Sequence, residues 1–295
     1  MKVILTGNGF LGKVIVEHFK REDITVLGRT SGNIICDLAN EIPQLEPADL
    51  VIHTAGKAHS VPKNIKEGKV FFDVNVQGTA NLLKGLEFAT AIPKNFVLVS
   101  TVAVYGLDKG CNISEDNPLA ALDPYGKSKI EAEKIVSEWC IKHNVICTIL
   151  RLPLVAGANP KGNLATMIKG ISNGYYFNID GGRARKSIVL ARDVAEIILR
   201  ASSIGGIYNL TDGHHPSFKE LAQHISTQLF KSNPLNMPMI IARLLAVIGD
   251  FLGAKSPINT QKLKKITSDL TFSDSVARKS FGWNPTPVLA DFKIE

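Results

Sequence analysis

The sequence predicts an α/β protein: a doubly wound parallel sheet with helices on both faces, followed by a smaller, mainly helical C-terminal region. Three observations predict it. Short apolar runs alternate with longer helical patterns through the first half of the chain. A glycine-rich turn stands between the first run and the first helix. The alternation weakens after Pro153. Strands that are apolar along their whole length need cover on both faces, and helices between successive strands supply it.

The elements follow in order. Residues 3–5 are the first strand and 10–20 the first helix. Runs 24–27, 33–36 and 49–53 are the next strands, and 70–88 carries one long helical pattern. Run 95–100 is a buried strand, 125–143 a second long helix and 145–150 a strand. Apolar runs of four to eight residues bounded by polar or glycine residues read as strands. Glycine and polar residues then gather over 157–163 and 173–182. Residues 187–189 and 207–210 read as strands, 192–201 as a helix, and Ser217-Phe-Lys-Glu220 as a capping box opening another helix. The division drawn is 1–155 for the sheet unit and 156–295 for a substrate-binding region. Strand 187–189 and helix 192–201 are expected to pack back on the first unit.

Composition excludes several classes. With 45% hydrophobic and 21% charged residues, the chain reads as an ordinary globular protein. The net charge of +7 is mild, and no basic run points to nucleic acid. Lys262-Leu-Lys-Lys265, the densest basic stretch, reads as one face of a helix. Cys36, Cys111, Cys140 and Cys147 show neither a Cys-x-x-Cys pair nor zinc-ligand spacing, so reduced thiols and no metal are expected. The first residues run directly into a strand, without a signal-peptide core. The most apolar stretch, 237–252, contains Pro238, Arg243 and Asp250 and is too short to span a bilayer. It reads as a buried helix or a lid. The expectation is a cytoplasmic chain with no membrane span.

Gly7, Asn8, Gly9, Phe10, Leu11 and Gly12 form a G-x-G-x-x-G turn between the first strand and the first helix. The first glycine permits the tight turn. The second lets a dinucleotide's pyrophosphate approach the backbone, and the third lets helix and strand pack closely. Free N–H groups at the helix N-terminus favour the anion. Between Val26 and Ser31 no acid stands ready for a ribose 2′-hydroxyl. Arg29, with Thr30 and Ser31, suits a 2′-phosphate instead. NADP(H) is therefore expected in preference to NAD(H), with Asp37 an acceptor for the adenine amino group.

Tyr125 and Lys129 stand four residues apart, a spacing that shares one helix face. An ammonium beside a phenol favours its ionised form, and a tyrosine needs that help to act as a base at neutral pH.

Taken together, the motifs resemble the extended short-chain dehydrogenase/reductases, in particular the NAD-dependent epimerase/dehydratase family. Those motifs are the glycine turn, Asp37-Leu38, Val51-Ile-His-Thr-Ala-Gly56, Asn75-Val-Gln-Gly-Thr79 and Val99-Ser-Thr-Val-Ala-Val-Tyr-Gly106. Tyr125-Gly-Lys-Ser-Lys129, Leu150-Arg-Leu-Pro-Leu-Val-Ala-Gly157, Asp193-Val-Ala195 and Phe281-Gly-Trp-Asn-Pro285 complete them. The resemblance implies a Rossmann-type fold and a nucleotide-sugar substrate, UDP-linked, of surface-polysaccharide pathways. It makes Tyr125 the catalytic tyrosine and Lys129 its partner, which also holds the nicotinamide ribose. Thr101 becomes the group that binds the reacting sugar oxygen, with Ser100 as its fallback. Leu38, Ala55, Gly56, Asn75, Ser100 and Pro153 fall at cofactor positions, and Asn163, Arg185 and Lys186 at the substrate diphosphate. A homodimer through the two long helices is also implied.

Two departures shape the expectation. The glycine turn is one residue shorter than the family's usual form. Val102 and Ala103 follow Thr101, where the family's sugar 4,6-dehydratases carry an Asp-Glu pair, so dehydration is not expected. The expected reaction is reduction of a 4-keto-hexose nucleotide. The alternatives are 4-epimerisation with retained NAD and, more remotely, a non-catalytic cofactor-binding regulator. His53, His59, His214 and His215 are assigned no chemistry.

Overall fold

The computed structural model describes residues 1–58, 62, 64–252, 256 and 258–294. Strand β1 (Lys2–Thr6) leads into α1 (Phe10–His18), then β2 (Asp23–Gly28), β3 (Ile34–Ile35) and β4 (Leu50–His53). The predicted long helix over 70–88 starts earlier and is broken. It comprises α2 (Ile65–Phe72), one π-helical turn (Asp73–Gln77) and α3 (Gly78–Phe88). Next come β5 (Asn95–Thr101), a 3-10 turn (Val102–Tyr105), β6 (Gly110–Ile113), α4 (Pro124–His143), β7 (Ile146–Leu152) and β8 (Leu154–Ala156).

The second part holds α5 (Gly162–Ser172), β9 (Asn178–Ile179), β10 (Ile188–Leu190), α6 (Ala191–Ser202), β11 (Gly206–Asn209) and α7 (Phe218–Gln228). It ends with β12 (Asn236–Met237), α8 (Met239–Leu252), α9 (Thr260–Thr267), β13 (Leu270–Phe272), α10 (Ser275–Phe281) and α11 (Val288–Asp291).

Seven strands form one sheet in the order β11-β7-β5-β4-β1-β2-β3, every pair parallel. The fold is therefore the Rossmann-like α/β class with a C-terminal helical region. Its central strands are buried on both sides. One face packs Leu5, Ile52 and Leu150 against Ile15 and Phe19 of α1 and Val194 and Ile198 of α6. The other packs Ile4, Val51 and Phe96 against Leu82 and Leu86 of α3 and Val136 and Trp139 of α4. The chain end returns to this core. Gly282 closes α10 in a left-handed conformation, and Trp283 is buried with its indole N–H donating to the Thr211 carbonyl at 3.0 Å. The order reverses at β1, which has β2 on one side and β4 on the other. Ligands of such sheets bind beyond the strand C-termini at that reversal.

The stretch predicted as a buried helix or a lid is α8, and its burial is confined to one narrow stripe. Only Ala242, Ala246 and Gly249 are buried there, whereas its large aliphatic side chains are exposed. Among the described residues no helix is long and apolar enough to cross a membrane.

Candidate active site

The glycine turn lies at the sheet's reversal. Gly7 has φ +93°, and a Cβ on it would stand 2.7 Å from the Ala55 amide nitrogen. A Cβ on Gly12 would stand 2.0 Å from the Gly7 carbonyl oxygen, so only glycine lets α1 sit this close to the turn. Gly9 differs: a Cβ there meets nothing within 4 Å. Open space therefore faces Gly9 at the N-terminus of α1, where no side chain caps the helix and no acid stands in the first turn. This is the cradle a pyrophosphate needs, and these residues fit a dinucleotide.

The surrounding loops are tied to that cradle. The Asn8 amide donates to Ser31 Oγ at 3.1 Å, which joins the turn to the loop after β2. Arg29 and Thr30 are exposed in that loop, and Arg29 has no side-chain partner among the described residues. The Asp37 carboxylate accepts from the Ala39 N–H and the Asn40 amide, and Leu38 is buried with its carbonyl bonded to Asn81. Ala55 and Gly56 follow β4, and Pro153 links β7 to β8.

Asn75 sits in the π-helical turn and is buried. Its Oδ1 accepts from the Lys57 N–H at 2.7 Å, and its Nδ2 donates to Ser128 Oγ at 2.8 Å. Ser128 in turn donates to the Tyr125 carbonyl at 2.7 Å. One asparagine thus locks the loop after β4 to the start of α4. Beneath it, His53 bridges the hydroxyls of Thr6 and Thr79. Burial first, then the Lys129 charge, lower His53 to about 3, so it stays neutral.

Asp123 caps α4, accepting from the Gly126 N–H at 3.0 Å, and this cap fixes Tyr125 in the first turn. The Tyr125 phenol neighbours the Thr101 side chain at the end of β5, which favours the ionised phenol. Lys129, one turn later, is buried and donates to the Val99 carbonyl at 2.8 Å. Burial lowers Lys129 to about 8, opposed by Glu133. The shared helix face predicts that Lys129 lowers the phenol; instead burial raises Tyr125, and the largest opposing effect comes from the neighbouring Thr101 side chain. The reason is geometric: the ammonium is held on the β5 backbone.

Ser100 is not a substitute for Thr101. Neighbouring strand residues face opposite sides, and Ser100 Oγ donates to the Glu133 carboxylate instead. Glu133 belongs to a buried network that sequence reasoning missed. Arg151 Nη2 lies 2.7 Å from Glu133 Oε2, and Arg151 Nη1 donates to the Tyr105 hydroxyl at 3.0 Å. Tyr105 in turn donates to Asn209 Oδ1 at 2.9 Å. The available signals were a lone arginine in an apolar strand and a glutamate two turns after Tyr125.

The substrate-side residues separate. Arg185 Nη1 donates to the His215 carbonyl at 3.0 Å and pairs with Glu220 at 3.5 Å. Lys186 faces the other way, among Asp269, Asp108 and Lys265, and burial lowers it to about 8. Asn163 is exposed in the first turn of α5. His214 is exposed, and His215 Nδ1 lies 3.0 Å from Ser187 Oγ. His59 lies outside the described residues. Among the described residues no group of three His, Cys, Asp or Glu is placed to hold a metal ion.

A glycine turn at the reversal of a parallel sheet, with Thr101, Tyr125 and Lys129 gathered at the end of β5 two strands away, has the layout of a dinucleotide-dependent oxidoreductase. The model of the NAD dependent epimerase/dehydratase family matches residues 3–210, and the chain belongs to that family. It is an NAD(P)-dependent enzyme of the extended short-chain dehydrogenase/reductase group, nucleotide-sugar epimerase-like. It is 29% identical over 74% of its length to an Escherichia coli O157:H7 protein, 68% of which is covered. That protein is an N-acetyl-alpha-D-glucosaminyl-diphospho-ditrans,octacis-undecaprenol 4-epimerase. It is 25% identical over 99% of its length to a Vibrio cholerae UDP-glucose 4-epimerase, 88% of which is covered. Its fold is similar to that of Thermus thermophilus UDP-glucose 4-epimerase in complex with NAD. The TM-score is 0.71 at 22% identity, over 97% of this chain and 94% of the other.

Proposed function

We propose that the protein is a 4-epimerase acting on a hexose or N-acetylhexosamine joined through a diphosphate to its carrier. The observation that carries this reading is Thr101 beside Tyr125 at the C-terminal end of β5, with Lys129 one turn further along α4. Two relatives that are 4-epimerases support it over the ketoreduction expected from the sequence.

A nicotinamide held at this site would supply the hydride acceptor and donor for C4. The chain's residues handle the proton. Tyr125 accepts it from the 4-hydroxyl as the bond to hydrogen at C4 breaks, and gives it back after the keto sugar has turned its other face. Thr101 holds the oxygen throughout and stabilises its developing charge. An ammonium has three donors, and the Val99 carbonyl takes one of those on Lys129, leaving two for the cofactor ribose. Gly7 to Gly12 receive the pyrophosphate, with Ala55 and Gly56 alongside. Lys186 and Asn163 are assigned to the substrate diphosphate, and Arg185 to holding α7.

A second reading rests on Arg29. Its exposed position at the end of β2, with no acid between Val26 and Ser31, favours NADPH and hence a 4-ketoreductase. One experiment separates the readings. UDP-N-acetylglucosamine, UDP-glucose, polyprenyl-diphosphate N-acetylglucosamine and a 4-keto UDP-sugar are each incubated with the enzyme and NAD(H) or NADP(H). C4-inverted product at a trace of NAD supports the epimerase. Stoichiometric NADPH oxidation with only the 4-keto sugar supports the reductase and overturns it.

A further inference from the structure

Helix α8 turns its small residues inward and its large ones outward. Its buried stripe is Ala242, Ala246 and Gly249, one face of the helix. The stripe is small because the segment before α9 lies against it: a Cβ on Gly249 would stand 1.8 Å from the Ile258 carbonyl oxygen. The opposite face carries Ile240 at 82% exposure, Leu244 at 64%, Phe251 at 88% and Leu252 at 66%. Val247 and Ile248 complete it. Such a continuous exposed apolar surface marks an interaction site. An exposed aromatic neighbours it: the Asn178 N–H donates to the Leu235 carbonyl at 2.9 Å, which brings Phe177 towards the strand that precedes α8.

The polar flank is basic. Between residues 230 and 266 the described residues include Lys231, Arg243, Lys262, Lys264 and Lys265 against one acid, Asp250. The Asp250 carboxylate is engaged by Thr260 at the start of α9. Lys262 donates to the Ser256 carbonyl and Lys265 pairs with Asp108. Arg243 and Lys264 are exposed, with no ion-pair partner among the described residues.

We propose that α8 is a membrane-surface docking helix. It lies in the plane of an anionic bilayer, its apolar face in the interfacial region and Arg243 and Lys264 on the headgroups. At 14 residues it is too short to cross. A convex apolar ridge enters a fluid apolar phase without needing a matching groove, whereas a rigid protein partner must supply shape complementarity. The basic flank also opposes pairing with a second copy and attracts anionic lipid.

The test does not depend on the reaction proposed above. The purified full-length protein is sedimented with vesicles of phosphatidylcholine and with 7:3 phosphatidylcholine/phosphatidylglycerol, at low and high salt. The expected result is co-sedimentation with the anionic vesicles, at least tenfold weaker with the neutral ones and weakened by salt. Leu244→Ser/Phe251→Ser should abolish it while cofactor binding and melting temperature stay unchanged. Failure of the wild type to sediment with anionic vesicles overturns the proposal. So does unchanged binding of the double variant. So does concentration-dependent self-association, lost in that variant, without vesicle binding, because a second copy then covers the face.

Discussion

Arg151 and Glu133 form a buried ion pair 2.7 Å apart, directly beneath the strand end that carries Thr101. Glu133 also accepts from Ser100 and lies one turn after Lys129 on α4. The pair therefore ties α4 to β5 and β7 behind the site.

Breaking this pair should cost more than an exposed one. Glu133→Ala leaves a buried guanidinium without its counter-charge, at about 3–5 kcal/mol. The expected result is a correspondingly lower urea midpoint, with activity lost through displacement of Lys129. A loss below about 1 kcal/mol would mean that the pair is solvated in solution.

The two glycines facing α1 should respond differently to alanine. Gly12→Ala pushes a Cβ into the Gly7 carbonyl and should destabilise the fold by about 1–3 kcal/mol. Gly9→Ala meets open space and should leave the fold intact. Its methyl would instead stand where the pyrophosphate must approach, so NAD(P)H affinity should fall at least tenfold. Fluorescence titration beside a melting curve checks both. Unaltered affinity in Gly9→Ala would remove the cradle from the cofactor site.

Stability should depend on pH through two buried groups. His53 is lowered from 6.5 to about 3, so the unfolded chain binds a proton that the folded chain refuses. Its contribution is complete above pH 6.5 and is lost as pH falls towards about 3, at up to roughly 1.4 kcal/mol per unit. Lys129 is lowered from 10.5 to about 8, so stability should rise as pH climbs through that window. Urea midpoints from pH 4 to 10 test both. The acid slope should flatten in His53→Gln, and an unchanged slope would assign it to other groups.

Lys186 and Arg185 should separate kinetically. Lys186→Met removes a cation assigned to substrate binding, so KM should rise about tenfold or more with kcat little changed. Arg185→Met should act on stability instead, through the His215 and Glu220 contacts. Equal effects on KM would put both at the diphosphate.

Much of this was legible in the sequence because it is local. Apolar strands, the glycine turn, the Asp123 cap and the Tyr125/Lys129 spacing each declare themselves within a few residues. The Glu133–Arg151 pair did not, since each partner's burial depends on the sheet bringing β7 beside β5. The π-helical turn at Asn75 has no period of its own within a continuous helical pattern. The Lys129 contact with Val99 was not legible, because its acceptor is a backbone carbonyl that only the fold brings there. In α8, hydrophobicity suggested burial, but the spacing of Ala242, Ala246 and Gly249 already marked a small-residue seat with the large side chains opposite.

The most direct test concerns Tyr125. With the substrate found in the sugar screen, Tyr125→Phe should lower turnover by at least about a hundredfold, the usual contribution of one acid/base group. NAD(P)H binding and melting temperature should remain unchanged. Turnover within tenfold of wild type would contradict Tyr125 as the group that moves the proton at the C4 oxygen.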